Sequence, residues 1–287
     1  MSKIKKASIV ALMLLIIGII GSVLTIKPMI QSKSISSERV ISEQFSHIDI
    51  KTDNAGVEIL PTTDAIAKID VTGKVGDASN YHLSIDVEGS ILSIGVKHEQ
   101  RSLINFFPSS LSLKVYVPEN IYESLQIKSD NGQIIAGDIQ AKEIHVETDN
   151  GKIKMRNVEG DTIIAKTDNG SSYLENVKAS IATIKSDNGE IVLKDIDAHI
   201  IAKVNNGRIS LVTNHLDNPI EFETSNGRIN IQTREKPKNA TIDADVKNGS
   251  VKIFDSSSRY AVSGNGENQI KLISTNGSII VEEKQID

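Results

Sequence analysis

The sequence predicts an all-β fold, a β-solenoid with coils of about 19 residues that follows one N-terminal transmembrane helix. Three observations carry this prediction. Short segments such as 111–117 place apolar residues two apart, which is the period of a half-buried strand. Asn-Gly pairs recur at nearly constant spacing through the second half of the chain. Aromatic residues make up only 3% of the 287 residues and Trp is absent, which favours strands and tight turns over a large globular core.

The first element is a run of uncharged residues at 7–26, preceded by Lys3, Lys5 and Lys6. At about 1.5 Å per residue, a helix of this length crosses the ~30 Å hydrocarbon core of a bilayer. The run is longer than the ~7–15 apolar residues of a secretory signal, and no clear small-residue cleavage site follows it. We therefore predict an uncleaved single-pass anchor in the cell membrane. Because positive charge stays inside, residues 1–6 would be a cytoplasmic tail and the C-terminal domain would be extracytoplasmic.

The next segment, 27–46, is polar and Ser-rich without a clear period, which is typical of a tether. From His47 onward the strand pattern begins. We predict an extracytoplasmic solenoid over 47–287, with irregular coils at 47–117 and repeat coils at 118–287.

The repeat is marked by a Gly that follows Asn. The first four such glycines lie nineteen residues apart, and the later intervals are 18, 20, 22 and 28. Each repeat contains two alternating strands, in which Ile153 and Met155 would point inward while Lys152, Lys154 and Arg156 face solvent. A fixed period near twenty is typical of a solenoid, whose coils bury their apolar faces against their neighbours. A meander of hairpins is the alternative, because Asn-Gly also favours hairpin turns. A meander of hairpins, however, would not require all eight Asn-Gly turns to recur in step with the same apolar pattern.

The Ser/Thr-Asp-Asn-Gly tetrads are interpreted as corners of the coils. Gly adopts positive φ freely and Asn tolerates it, as a corner would require. Stacked corners would place Asn150 above Asn131 and below Asn169, which permits a ladder of side-chain amides. The stacked aspartates, beginning with Asp130, should lie exposed. The predicted turn residues are Asn131, Gly132, Asn150, Gly151, Asn169, Gly170, Asn188, Gly189, Asn206, Gly207, Asn226, Gly227, Asn248, Gly249, Asn276 and Gly277.

No catalytic, cofactor or metal site is predicted. The EF-hand loop and the nine-residue calcium repeat are not matched, Cys is absent, and the six His residues fit no metal-binding spacing. A formal net charge of −5 without a basic cluster argues against nucleic acid. A carboxylate pair on one solenoid face could cleave a glycosidic bond, but an Asp in every coil singles out none. A carbohydrate-active enzyme is therefore the alternative to a non-enzymatic protein.

One loop, 97–110, interrupts the strands and brings together Phe106, Phe107 and Pro108. The two Phe side chains could cap an open end of the core. They could instead form a tip that contacts a partner or a membrane. If they form such a tip, replacing both with Ser should leave the fold intact.

The passage LKVYVPENIYESLQIKSDNG at 113–132, together with the N-terminal span and the serial Asn-Gly coils, resembles the putative-adhesin family of bacterial membrane-anchored proteins. Within it, the sequence looks like a close relative of LiaG-like members of a cell-envelope stress locus. The likeness covers residues 44–285. It implies a right-handed single-stranded β-helix and a role at the cell envelope, and it supplies no catalytic residues. The predicted function is a binding or scaffold protein of the envelope, linked to envelope stress, whose partners are envelope proteins or a cell-wall polymer. A carbohydrate-active enzyme and an adhesin are the alternatives.

Overall fold

The computed structural model describes residues 3–29, 33–75, 81–98 and 110–285. Phe106 and Phe107 lie outside these ranges. Within the ranges the chain forms one helix and sixteen strands: α1 (Lys3–Met29), β1 (Lys33–Ile41), β2 (His47–Thr52), β3 (Ala55–Thr62), β4 (Ala67–Val75), β5 (Tyr81–Glu88), β6 (Ile91–His98), β7 (Ser110–Pro118), β8 (Ile121–Ser129), β9 (Ile134–Gly137), β10 (Gln140–Thr148), β11 (Lys152–Asn169), β12 (Ser171–Thr213), β13 (Ile220–Thr233), β14 (Ala240–Ile253), β15 (Tyr260–Ser263) and β16 (Asn268–Glu283).

The N-terminal region differs in part from the sequence-based expectation. Helix α1 covers the predicted span 7–26. No helix among the described residues is both long enough and apolar enough to cross a membrane. Residues 33–41, expected to belong to the tether, instead form β1, which pairs antiparallel with β4 from Lys33↔Val75 to Ile41↔Ala67. The tether prediction failed here because Ile35 and Ile41 pack against the core, although their surroundings in the sequence are polar.

The repeat region is a stack of parallel strands. β10 pairs with β11, and β11 with β12, at an offset of nineteen residues, as in Ile144↔Ile163 and Ile163↔Ala182. One repeat therefore makes one coil, and the hairpin meander is excluded because hairpins would pair antiparallel. Ile153 and Met155 are buried while the three basic residues around them are exposed, as predicted. The right-handed sense of the coil stays a prediction.

The order of the coils in space departs from their order in the chain at both ends. β2 lies between β6 and β8, and β3 lies between β7 and β9. Near the C-terminus, β16 is inserted between β13 and β14. The outermost positions are taken by strands that pair antiparallel, namely β1, β5 and β15. A stack of parallel coils needs such terminal elements because its last coil has no neighbour to cover it.

Candidate functional site

A continuous ladder of asparagine side chains runs along one corner of the stack. In each coil the Nδ2 group donates to the Oδ1 atom of the coil before it, at 2.9–3.1 Å. The predicted placement of Asn150 between Asn131 and Asn169 is confirmed. In spatial order the ladder is Asn54, Asn131, Asn150, Asn169, Asn188, Asn206, Asn226, Asn276 and Asn248.

The glycines beside this ladder are required for a second reason besides the predicted positive φ, namely close approach between coils. Four of these glycines, Gly189, Gly207, Gly249 and Gly277, have the predicted positive φ, between 153° and 158°, whereas none of the ladder asparagines that begin the predicted pairs does. Close approach between coils also demands Gly. A Cβ on Gly170 would fall closer than 3.0 Å to the carbonyl oxygen of Gly151, and the same contact recurs from coil to coil. The corner prediction was therefore right about the positive φ of these four glycines and wrong about the backbone of the asparagines.

The left-handed backbone lies at another corner, seven residues along the repeat. Asp138, Asn157, Asn176 and Asp195 have φ of 56°, 51°, 52° and 51°. Their short polar side chains tolerate this conformation because they bond locally. Here they form a second ladder, in which Asn157 Nδ2 donates to Asp138 Oδ1 and Asn176 Nδ2 donates to Asn157 Oδ1, each at 2.7 Å. The recurrence of Asp or Asn at this position was visible in the sequence, but its role was missed.

The first residue of each tetrad also has a role that sequence reasoning missed. Thr148 is buried, and its hydroxyl donates to the carbonyl of Gly132 in the preceding coil at 3.2 Å. Ser274 makes the equivalent bond to Gly227 at 3.4 Å. A small hydroxyl side chain at this inward position meets the hydrogen-bonding need of a buried carbonyl. The regular Ser or Thr that begins the tetrads was the signal that could have revealed it.

The aspartates of the tetrads form an acidic column on the outer face. Asp130 is exposed and Asp149 is half-buried. Desolvation, followed by the charges of Asp53 and Asp149, raises the pKa of Asp130 above its ordinary value. Like charges in neighbouring coils repel, so this carboxylate holds its proton more tightly than a free one.

In the adjacent column a glutamate lies between two lysines of neighbouring coils and forms ion pairs with both. Glu147 lies 3.0 Å from Lys166 and 3.7 Å from Lys128. The hydrogen bond from Lys166 lowers the pKa of the Glu147 carboxyl. On the other side of the coil, Glu175 pairs with Arg156 at 3.1 Å and Lys194 at 3.0 Å. The outer faces are thus ordered arrays of hydrogen-bonded and paired charges.

An open groove of about 590 Å³ runs beside the glycines of four successive coils. Its wall carries Arg208 and Arg228, which lie in neighbouring coils at a spacing of about 4.8 Å. Arg208 Nη1 is 3.5 Å from Glu190, and Arg228 Nε donates to Ser278 Oγ at 3.1 Å. Both arginines are exposed, so their guanidinium groups can meet an acidic ligand.

The sequence profile of the family described as Toastrack DUF4097 matches residues 45–282. The chain belongs to this family. Among solved structures, it is similar to a "putative adhesin" of Bacteroides fragilis (13% identity, TM-score 0.48, covering 88% of this chain and 97% of that chain). It is also similar to a "putative adhesin" of Parabacteroides merdae (12% identity, TM-score 0.42, covering 88% and 97%). A "putative lipid binding protein" of Parabacteroides distasonis is another such structure (13% identity, TM-score 0.41, covering 88% and 97%). No curated protein matches the chain.

In this Toastrack chain, the eight predicted Asn-Gly pairs all lie along the one ladder corner. In the part of the chain that the structure describes, no three His, Asp or Glu side chains lie close enough together to hold a metal ion. His145 and His199 are half-exposed on strands, at 44% and 35% of the side chain. The site that the structure assembles is therefore a surface, made of ladders, charged columns and the arginine groove.

Proposed function

We propose that the chain is a non-enzymatic binding or scaffold protein of the bacterial cell envelope, anchored in the membrane, with its solenoid outside the cytoplasm and linked to envelope stress. One observation carries the proposal: the outer faces are regular arrays of polar side chains that repeat with every coil. An extended partner lying along the stack would meet the same donors and acceptors at each coil. Such a partner is an envelope protein or a linear wall polymer.

The order of these side chains supports binding. Each ladder asparagine is held by its neighbours at 2.9–3.1 Å, so less side-chain entropy is lost when a partner docks. The groove beside Arg208 and Arg228 adds a preference for acidic groups, because two guanidinium forks face it from consecutive coils. This arrangement suits recognition along a surface, whereas catalysis would need an enclosed cleft with carboxylates of divergent pKa.

The membrane anchor in this proposal rests on the sequence of residues 7–26. The apolar side chains of Leu12, Leu14 and Ile17 on α1 are 57–65% exposed, so they are available to lipid. Replacing Leu14 and Ile17 with Lys should move the chain from the membrane fraction to the soluble fraction after carbonate extraction. A wild-type chain that is itself extracted by carbonate would show that the anchor is wrong.

Crosslinking of the full chain in living cells, with and without cell-wall stress, tests the binding role. We expect wild type to capture a defined set of envelope components, and R208E/R228E to lose those that bind through the groove. A charge-matched control, K247E/K252E, changes exposed lysines of β14 outside that groove and should retain them. Recovery of the chain alone from wild-type cells would contradict the scaffold role. Equal capture by all three proteins would place the contact elsewhere than the groove.

A further inference from the structure

The chain contains nine Asn-Gly bonds, of which eight lie in the ladder; the ninth, Asn265–Gly266, lies in a turn where Asn265 is exposed and Gly266 is buried. We propose that Asn248–Gly249 is a site of spontaneous deamidation, because it occupies the end of the ladder, and that the seven interior pairs are protected. In this reaction the backbone nitrogen of Gly249 attacks Cγ of Asn248. An N–Cγ bond forms, the Cγ–Nδ2 bond breaks, and the amide proton leaves with ammonia. Water then opens the succinimide ring to give aspartate or isoaspartate.

The interior pair Asn169–Gly170 is held at both reacting groups. Asn169 donates through Nδ2 to Asn150 at 3.1 Å and accepts through Oδ1 from Asn188 at 2.9 Å. Rotating its Cγ toward the nitrogen of the following glycine would break both bonds. That nitrogen is also occupied, since Gly170 N–H donates to the carbonyl of Asn188 in the next coil at 3.0 Å. Hydrogen bonds therefore restrain both the electrophile, Cγ of Asn169, and the nucleophile, the backbone nitrogen of Gly170.

Asn248 and Gly249 lack the two hydrogen bonds that an interior pair makes to the next coil. Its Nδ2 donates to Asn276 at 2.9 Å, but no described residue donates to its Oδ1. β14 is the outermost long strand, and β15 pairs only with its first part, Ala240–Asp243. Among the described strands no further coil lies over Gly249, so none offers its N–H the acceptor that Gly170 has. Asn248 is also exposed to the water that completes the reaction.

Conversion would loosen the last coil. An isoaspartate inserts one extra carbon into the backbone, which shifts the register of the residues that follow. In β14 that register is set by pairs such as Asn248↔Asn276 and Gly249↔Gly277. The altered strand would lose its fit to β16 from that point onward. Deamidation at Asn248 therefore affects a terminal coil, which can separate without breaking the pairing between the other coils.

Peptide mapping by mass spectrometry, after incubation of the full chain in neutral and mildly alkaline buffer, tests the proposal. We expect Asn248 to be modified about tenfold faster than Asn169, because two fewer hydrogen bonds must open. The rate should rise with pH, since the attacking nitrogen must lose its proton. Asn265 provides the reference for an Asn-Gly bond outside the ladder. Equal rates at Asn248 and Asn169 would overturn the proposal.

Two variants test whether the hydrogen bonds of the ladder slow deamidation of Asn248, or whether its rate depends only on local unfolding of the terminal strand. Asn276→Ser removes the only described acceptor of the Asn248 amide and should speed its deamidation several-fold. Asn248→Gln should abolish the modification at this position, because the longer side chain would need a less favourable ring, while its circular dichroism stays that of wild type. An unchanged rate at Asn248 in a folded Asn276→Ser protein would show that the ladder does not protect, and would also overturn the proposal.

Discussion

Replacing Gly170 with Ala tests whether the coils are stacked as closely as the structure indicates. The added Cβ would lie closer than 3.0 Å to the carbonyl oxygen of Gly151, which belongs to the backbone and cannot rotate away. That carbonyl also accepts the hydroxyl of Thr167 at 3.5 Å. The only relief is for the two coils to move apart, which would lengthen the Asn169–Asn150 bond beyond its 3.1 Å.

The expected loss follows from these contacts. Forcing an extra carbon into a packed site costs about 1–3 kcal/mol. Two weakened hydrogen bonds, from Thr167 and from Asn169, add about 1 kcal/mol each. The free energy of unfolding should therefore fall by about 3–5 kcal/mol. This is a large share of the ~5–15 kcal/mol that holds a typical domain folded.

Equilibrium denaturation followed by circular dichroism measures this loss, and Gly56→Ala is the matched control. Gly56 also lies within the coil stack, but the nearest atom to its added Cβ is the Gln133 carbonyl oxygen at 3.7 Å, an ordinary contact. Neither glycine has the positive φ that would make Ala unfavourable for another reason. The control should unfold within about 1 kcal/mol of wild type. Equal midpoints for Gly170→Ala and Gly56→Ala would refute the close-stacking argument.

Three further changes should alter stability in stated directions. Ser172→Ala should raise the free energy of unfolding by about 1 kcal/mol, measured by urea denaturation, because the hydroxyl is fully buried and has no partner among the described residues. Asp130→Asn should stabilise the chain slightly at neutral pH, since desolvation raises the pKa of Asp130 and the charged form is disfavoured in the fold. Solvent screening keeps this gain small, and it should vanish once acid protonates wild-type Asp130. Glu147→Gln should destabilise the chain by about 0.5 kcal/mol at neutral pH, because the hydrogen bond from Lys166 lowers the pKa of the Glu147 carboxyl. The difference from wild type should disappear as pH falls through that lowered pKa, and thermal denaturation at a series of pH values can check this.

Neither the N-terminal strand nor the order of the coils could be predicted from the sequence. β1 lies within a polar, Ser-rich stretch, and only its pairing with β4 shows that Ile35 and Ile41 pack against the core. The insertion of β16 between β13 and β14 cannot be predicted from spacing, because every corner carries the same Asn: Asn276 donates to Asn226 and accepts from Asn248. Any two of these corners can form the same side-chain hydrogen bond. The sequence pattern therefore does not determine the order in which the coils stack.

The sequence by itself determined which residues form one coil and which of their side chains face inward. Period-two apolar residues and a nineteen-residue interval specify which side chains face inward, because each strand buries alternate residues and each coil repeats the one before it. That is why the inward places of Ile153 and Met155 and the amide ladder were predictable. Only the tertiary structure decided why each tetrad residue is needed. The contact that requires Gly170, and the carbonyl that Thr167 meets, belong to a neighbouring coil sixteen or more residues away. Close approach between two backbones exists only after the coils have stacked, so no local pattern can express it.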